Sequence, residues 1–154
     1  MSTDPKAAAL DVAVRLLARR NHARAELAEK LRQRGFSAAD IDGALAACDR
    51  YGYLDDKETA HQFFRELRRK GNGPLKIRRE LGRRGLTGDE VDRLLDTYAG
   101  GAEERDAARR QLEKGRVRFD REVDSRKRRE KKYRFLRGRG FTGETIQAVM
   151  SEEE

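Results

Sequence analysis

One pattern occurs three times along the chain and limits what the chain can fold into. Each copy reads Leu-x-x-Arg-Gly, then an apolar residue, then Ser or Thr, at residues 31–37, 81–87 and 136–142. The leucines that open the copies are 50 and then 55 residues apart. A repeat of this length is typical of stacked helical units. The pattern therefore predicts a repeat protein.

Each copy predicts the end of one helix and the start of the next. A glycine that follows basic residues can adopt the left-handed conformation that ends a helix, and these stops are Gly35, Gly85 and Gly140. A hydroxyl side chain two residues later can cap the next helix, and these caps are Ser37, Thr87 and Thr142. Asp40 and Glu90 approximate or complete a capping box, whereas Thr145 leaves the third box incomplete. Each unit therefore contains a helix hairpin.

A further helix precedes each hairpin. We expect these leading helices over residues 5–20, from Asp55 or Asp56 to near Gly71, and over residues 102–114, with Pro74 opening the helix after Gly73. The fold class is thus all-α, with three tandem three-helix repeats. We place the repeats at residues 1–50, 51–99 and 100–150, followed by an acidic tail at 151–154.

The composition favours several small cores over a single large one. Of 154 residues, 42% are charged and only 36% are hydrophobic, so we expect an elongated body. The net charge of +8 attracts polyanions, with nucleic acid as the first candidate and membrane surfaces as the second. There is no run of about 18 apolar residues and no signal-peptide core, so we expect a cytoplasmic protein that does not enter a membrane.

The basic residues gather in clusters that recur with the repeat. Seven Lys or Arg lie in residues 15–34, nine in 65–84 and nine in 126–139. One such run usually reflects a solvated helix face, but equivalent faces of stacked repeats can join into a track that follows a phosphate backbone. The candidate nucleic-acid-binding residues are Arg65, Arg68, Arg69, Lys70, Lys76, Arg78, Arg79, Arg83, Arg84, Arg126, Lys127, Arg128, Arg129, Lys131, Lys132, Arg134, Arg137 and Arg139.

Aromatic residues that can stack on bases are few. Tyr51, Tyr53 and Tyr133 are candidates, but their spacing favours packing instead. A helix-turn-helix interpretation, with helices at 37–48 or 87–98 reading bases, is weakened because both segments are acidic on their exposed sides. We therefore expect binding without sequence-specific base recognition.

No catalytic signature occurs in the chain. It lacks a phosphate-binding loop that ends in Lys-Ser or Lys-Thr, a His-Glu-x-x-His motif and paired cysteines, and neither His22 nor His61 has a partner in helical register. We expect no enzymatic activity, no metal and no cofactor.

The chain resembles the RecX family from about Ala13 to Met150. The residues that carry this resemblance are Gly52, Tyr53, Leu54, Asp55 and Asp56, then Gly73, Pro74, Lys76, Ile77, Glu80, Leu81 and Gly85, and finally Arg139, Gly140 and Phe141. Segments near the start, with Val14, His22, Glu26 and Lys30, support it. We regard the Gly, Tyr, Leu, Asp, Pro and Phe residues of this motif as structural.

The resemblance implies three tandem three-helix repeats that form an elongated, curved rod. It also implies binding to the RecA recombinase filament on single-stranded DNA, with the basic residues listed above as candidate filament contacts, and inhibition of strand exchange and ATP turnover. We expect the protein to be a monomer. Double-stranded DNA as a ligand, a general nucleic-acid-binding protein without a recombinase partner, and a structural scaffold remain open alternatives.

The chain departs from the family pattern in three places. Ala23 replaces the serine that usually opens a capping box with Glu26, unless Asn21 or His22 caps instead. Thr59 replaces an aromatic residue, and the leading helix of the third repeat is unusually charged.

Overall fold

The computed structural model describes residues 4–153, and these form ten helices and no strand. The all-α prediction is confirmed. The helices are α1 (Pro5–Arg19), α2 (Arg24–Gln33), α3 (Ala38–Arg50), α4 (Asp56–Arg69), α5 (Pro74–Arg83), α6 (Asp89–Tyr98), α7 (Ala102–Lys114), α8 (Arg116–Asp120), α9 (Ser125–Gly138) and α10 (Gly143–Ser151). The short helix α8 was not predicted.

The chain divides into two compact units. Unit 1 contains the residues up to Gln62 together with Leu81–Thr87. Helix α1 packs against α3, and α2 contacts both. Apolar side chains at helical spacing fill the core of this unit: Ala9, Ala13, Leu16, Leu27, Leu31, Ile41, Ala44, Leu45 and Cys48. The free thiol of Cys48 is fully buried, and burial raises its pKa.

Unit 2 contains Phe63–Glu80 and the residues from Gly88 onward. Helix α10 packs on α7 and α9, and α8 contacts the same two helices. The buried apolar residues of α7 to α10 are Ala107, Ala108, Leu112, Phe119, Leu136, Ile146, Val149 and Met150.

The three predicted glycine stops are present but not equivalent. Gly35, Gly85 and Gly140 all have positive φ, at 89°, 76° and 90°. A Cβ at Gly35 would meet nothing within 4 Å, whereas one at Gly85 would overlap the Cβ of Ala25 at the start of α2, and one at Gly140 would overlap the backbone of Lys76 in α5. The second and third stops therefore each lie against the first turn of an earlier hairpin helix in their own unit.

We predict that Gly85→Val costs more stability than Gly35→Val. Both substitutions force a β-branched residue into the left-handed region, but only the first adds a steric overlap. We expect a loss of about 2–4 kcal/mol at Gly85 and roughly 1–3 at Gly35. Urea unfolding followed by circular dichroism measures both, and equal losses would show that the contact with Ala25 relaxes freely.

Two of the three predicted caps form. The Ser37 and Thr142 side chains accept the backbone N–H three residues later, at 3.1 and 3.3 Å. The prediction for Thr87 is wrong, because Gly88 follows it with φ 105° and helix α6 begins only at Asp89, without a side-chain cap. A glycine in this conformation lies outside the helix and shifts its start.

An aspartate from another helix replaces the missing serine at the start of α2. Ala23 donates its N–H to Glu26 at 3.3 Å, which is half of a capping box. The Arg24 N–H donates to the Asp56 carboxylate at 2.8 Å. The helix is thus capped by Asp56, not by Asn21 or His22. Carboxylates stabilise helix N-termini, so Asp56 of the motif stabilises the start of α2 through this contact.

A buried carboxylate completes the capping box of the third repeat. Glu104 on α7 is 0% exposed, and its oxygens accept hydrogen bonds from the Gly100 N–H at 2.7 Å, the Thr142 N–H at 2.8 Å and the Thr145 hydroxyl at 2.6 Å. The Thr142 hydroxyl donates to the same group at 2.9 Å. One carboxylate therefore organises the start of α10 and the backbone before α7.

His22 is buried, and its contacts predict that stability depends on pH. Its Nδ1 lies 3.0 Å from the Arg20 carbonyl oxygen, and its Nε2 lies 2.9 Å from the Lys30 Nζ. The carbonyl can only accept and the ammonium can only donate, so the neutral ring with the proton on Nδ1 fits both contacts. Burial, opposed by the hydrogen bond to Arg20, lowers the pKa of His22 below its usual 6.5.

We therefore expect stability to fall as the pH drops below about 6.5. The unfolded chain takes up a proton there that the folded chain resists, so the His22 contribution is complete above 6.5 and is lost as the pH falls towards the lowered pKa. Urea unfolding at pH 7.5 and 5.5 measures the loss. The loss should shrink in His22→Gln, and a loss of equal size in that variant would assign it to other groups.

Candidate nucleic-acid interface

Helix α9 presents the densest basic surface of unit 2. Helices α2 and α5 begin eleven residues before their glycine stops, whereas α9 begins fifteen before Gly140. Its Asp124 cap accepts the N–H groups of Arg126 and Lys127, at 3.0 and 3.3 Å. The additional turn carries the start of the third basic cluster.

Part of this cluster already has partners within the chain. Lys132 pairs with Glu153 at 2.8 Å, and Lys131 pairs with Glu122 at 3.4 Å. Arg128 donates to the Glu122 carbonyl at 3.0 Å. Arg128, Lys132 and Glu153 line a cavity of about 680 Å³ between α9 and the end of α10. A ligand at Lys132 competes with Glu153.

Another face of α9 makes no such contacts. Lys127, Arg134 and Arg137 are exposed, and none of them makes an ion pair among residues 4–153. Their spacing of seven and three residues places them on one side of the helix. This face, which we call the α9 face, has three cations without partners in the described chain.

The middle cluster is divided between the two units. Arg83 and Arg84 belong to unit 1, and the other seven members belong to unit 2. Within unit 2, the exposed Arg78 pairs with Asp92 at 2.8 Å, while Arg79 is exposed. An exposed pair of this kind adds little stability and is easily exchanged for another anion.

Four arginines surround a cavity of about 300 Å³ in unit 2. Arg65, Arg68 and Arg69 of α4 and Arg110 of α7 line it around Tyr98, and we call it the arginine groove. Arg110 was not among the sequence candidates, because it lies outside the basic runs and only the packing of α7 brings it here.

Two predicted binding residues have structural contacts. Arg139 donates through Nη2 to the Lys70 carbonyl at the end of α4. Lys76 lies with its backbone against Gly140 and its side chain half-buried. The hydrogen bond to the Lys70 carbonyl occupies one donor of Arg139, and Lys76 is only partly open to a ligand.

The motif residues around Gly73 join two parts of unit 2. The Gly73 N–H donates to the Arg139 carbonyl at 2.8 Å, and the Leu75 N–H donates to the Gly140 carbonyl at 2.9 Å. A Cβ at Gly73 would overlap the backbone of Gly140 and Phe141. Because Gly73 has no Cβ, the backbone at the start of α5 can approach the third glycine stop closely. There the carbonyls of Arg139 and Gly140 accept the N–H groups of Gly73 and Leu75.

The motif in unit 1 ends in a cap. Gly52 has φ 73°, Leu54 is half-buried, and the Asp55 carboxylate accepts the Glu58 N–H at 3.1 Å at the start of α4.

The tyrosine candidates are exposed, so the expectation that they are packed is wrong. Tyr51 and Tyr53 are 60% and 51% exposed, with ring centroids 5.5 Å apart, and Tyr133 is 44% exposed. Tyr51 and Tyr53 lie in or beside the turn after α3, which points them away from the apolar stripe.

Two kinds of feature are absent from the described residues. Between residues 4 and 153, no helix is long and apolar enough to cross a membrane. Nor do three or more His, Cys, Asp or Glu side chains converge there as metal ligands would.

Comparison with known proteins identifies the family. Models of the first, second and third three-helix domains of RecX match residues 9–48, 55–95 and 102–150. Proteins named Regulatory protein RecX are similar over most of their length. One from Chlorobium phaeobacteroides is 36% identical, and the alignment covers 97% of this chain and 95% of that protein. One from Legionella pneumophila is 38% identical, and the alignment covers 94% of this chain and 93% of that protein.

Solved structures agree on the fold. The crystal structure of RecX from Lactobacillus salivarius superimposes with a TM-score of 0.82 at 20% identity, covering 98% of this chain and 97% of that one. A second crystal structure of regulatory protein RecX superimposes with a TM-score of 0.82 at 19% identity, covering 98% of this chain and 73% of that one. The three-helix organisation predicted from the glycine stops is thus the one that the family models describe, and the chain belongs to the RecX family.

Proposed function

We propose that this chain binds the nucleoprotein filament of a RecA-type recombinase on DNA and restrains its strand exchange and ATP turnover. Membership of a family of regulatory proteins along nearly the whole chain supports a regulatory role. The RecA partner follows from the family resemblance. The observation that carries the DNA part is the α9 face, where Lys127, Arg134 and Arg137 are exposed without ion pairs in the described residues.

The mechanism we propose is bridging by a basic surface without catalysis. Cations on α9 neutralise phosphates of the bound strand, which releases counterions and favours association. Other surfaces contact the recombinase protomers. A monomer in the cytoplasm that holds neighbouring protomers and the strand together changes filament stability without a chemical step.

A general nucleic-acid-binding protein is the second candidate, because the same basic surface suffices for it. Binding to preformed recombinase filaments and to the same strand without recombinase separates the two. We expect fluorescence anisotropy of the labelled protein to show tighter filament binding, with an affinity that persists at salt concentrations that abolish binding to the bare strand. Equal affinities and equal salt dependence would favour the general binding protein.

A further inference from the structure

The arginine groove is organised before any ligand arrives. The Arg68 guanidinium lies 4.4 Å from the centroid of the Tyr98 ring and 5.6 Å from that of Phe64. Tyr98 is itself fixed, since it is 1% exposed and its hydroxyl donates to the Asn72 carbonyl at 3.1 Å. A cation stacked on a buried ring loses little freedom when it binds an anion.

The lining of the groove has an excess of positive charge. Of the described residues that line it, four are arginines and none is acidic. Arg69 and Arg110 make no ion pair within residues 4–153, and the Arg68 Nη2 pairs at 2.7 Å with Glu103, whose side chain is 65% exposed. Guanidinium groups gathered at one cavity repel each other, and an anion that contacts several of them relieves the repulsion.

The geometry favours phosphate over carboxylate. A carboxylate is planar and pairs best with one guanidinium, as Glu103 does with Arg68. A phosphate carries more oxygens in a tetrahedral arrangement, so it accepts from several guanidinium groups at once. The cavity of about 300 Å³ admits a phosphate with part of its sugar but no folded segment of a protein.

We propose that the arginine groove binds phosphate groups of a single nucleic-acid strand, and that Glu103 occupies Arg68 in the free protein and is displaced by the phosphate. The ligand class rests on the proposed function, but the site and the competing carboxylate do not. The groove binds any strand irrespective of sequence, because the Tyr98 ring is buried beneath Arg68 and offers no face to a base.

The test is the affinity of Glu103→Gln for a labelled oligothymidine, measured by anisotropy at several salt concentrations. Glu113→Gln is the matched control, because Glu113 lies on the same helix, pairs with Arg116 at 3.3 Å and is 71% exposed. We expect Glu103→Gln to bind about two- to fivefold more tightly than Glu113→Gln, the range that one exposed ion pair gives. Arg110→Gln should weaken binding and lower the salt slope by about 0.7.

Three outcomes would overturn the proposal. If Glu103→Gln and Glu113→Gln bind equally, Glu103 does not compete with the strand. If Arg110→Gln loses affinity for inorganic triphosphate but binds the oligothymidine as tightly as the wild type, the groove takes free phosphate compounds and not the strand. If Glu103→Gln tightens binding to recombinase filaments only, the groove takes a carboxylate of the recombinase. Because the oligothymidine assay contains no recombinase, failure of the proposed filament function leaves its result unchanged.

Discussion

Glu104→Leu is expected to cost about 2–5 kcal/mol, the largest stability loss we predict for one side chain. Leucine fits the buried position but leaves the Gly100 and Thr142 N–H groups and the Thr145 hydroxyl without their acceptor. Buried donors that lose a charged acceptor cost far more than the bond itself contributes. Thermal unfolding followed by circular dichroism measures the effect.

Two variants control for this result. Glu104→Gln keeps one carbonyl acceptor, so its loss should be smaller than that of Glu104→Leu. Glu113→Leu changes an exposed glutamate of the same helix and should cost less than about 0.5 kcal/mol. If Glu104→Leu is as stable as Glu113→Leu, the hydrogen bonds to Glu104 do not organise the start of α10.

The repeat was predictable because glycine stops and hydroxyl caps act locally. Gly35, Gly85 and Gly140 each require a backbone conformation that few other residues adopt, so the sequence alone locates the helix ends. Thr87 shows the limit of such reasoning, because one further glycine moved the start of α6.

Helix-capping contacts supplied from distant positions in the chain were not predictable. Asp56 caps α2 from 32 residues away, and Glu104 completes a box 38 residues away, so neither is visible as a local motif. A signal for Glu104 does exist, since it precedes Ala107, Ala108 and Leu112 in the register of their apolar stripe. When a later capping box has no acidic residue at its third position, a carboxylate in that register indicates a buried hydrogen-bond acceptor for it.

The basic runs were visible in the sequence, but the availability of each cation was not. Lys132 and Arg139 look equivalent in the sequence, yet one pairs with Glu153 and the other donates to the Lys70 carbonyl. Side-chain partners depend on how helices pack, so charge counting alone overstates the number of cations open to a ligand.

Reversing the α9 face is expected to have the largest effect on nucleic-acid binding. Lys127→Glu, Arg134→Glu and Arg137→Glu together lower the net charge from +8 to +2 and leave the buried Leu136 in place. We expect the affinity for oligothymidine to fall by at least about tenfold, and the salt slope to fall by about 2, because each lost phosphate contact contributes roughly 0.7.

The matched control reverses three exposed arginines outside the basic clusters, Arg50, Arg93 and Arg116, to the same net charge. If the α9 face binds phosphates, the control should lose much less affinity than the triple α9 variant. Equal losses would mean that net charge alone governs binding and that the α9 face is only solvated.

The most direct test of the proposed function is ATP turnover by a RecA-type recombinase on single-stranded DNA while this protein is titrated in. We predict that turnover falls steadily as the protein is added, and that the triple α9 variant needs a markedly higher concentration for the same inhibition. Turnover that stays constant at concentrations where the protein saturates the bare strand would contradict regulation of the filament.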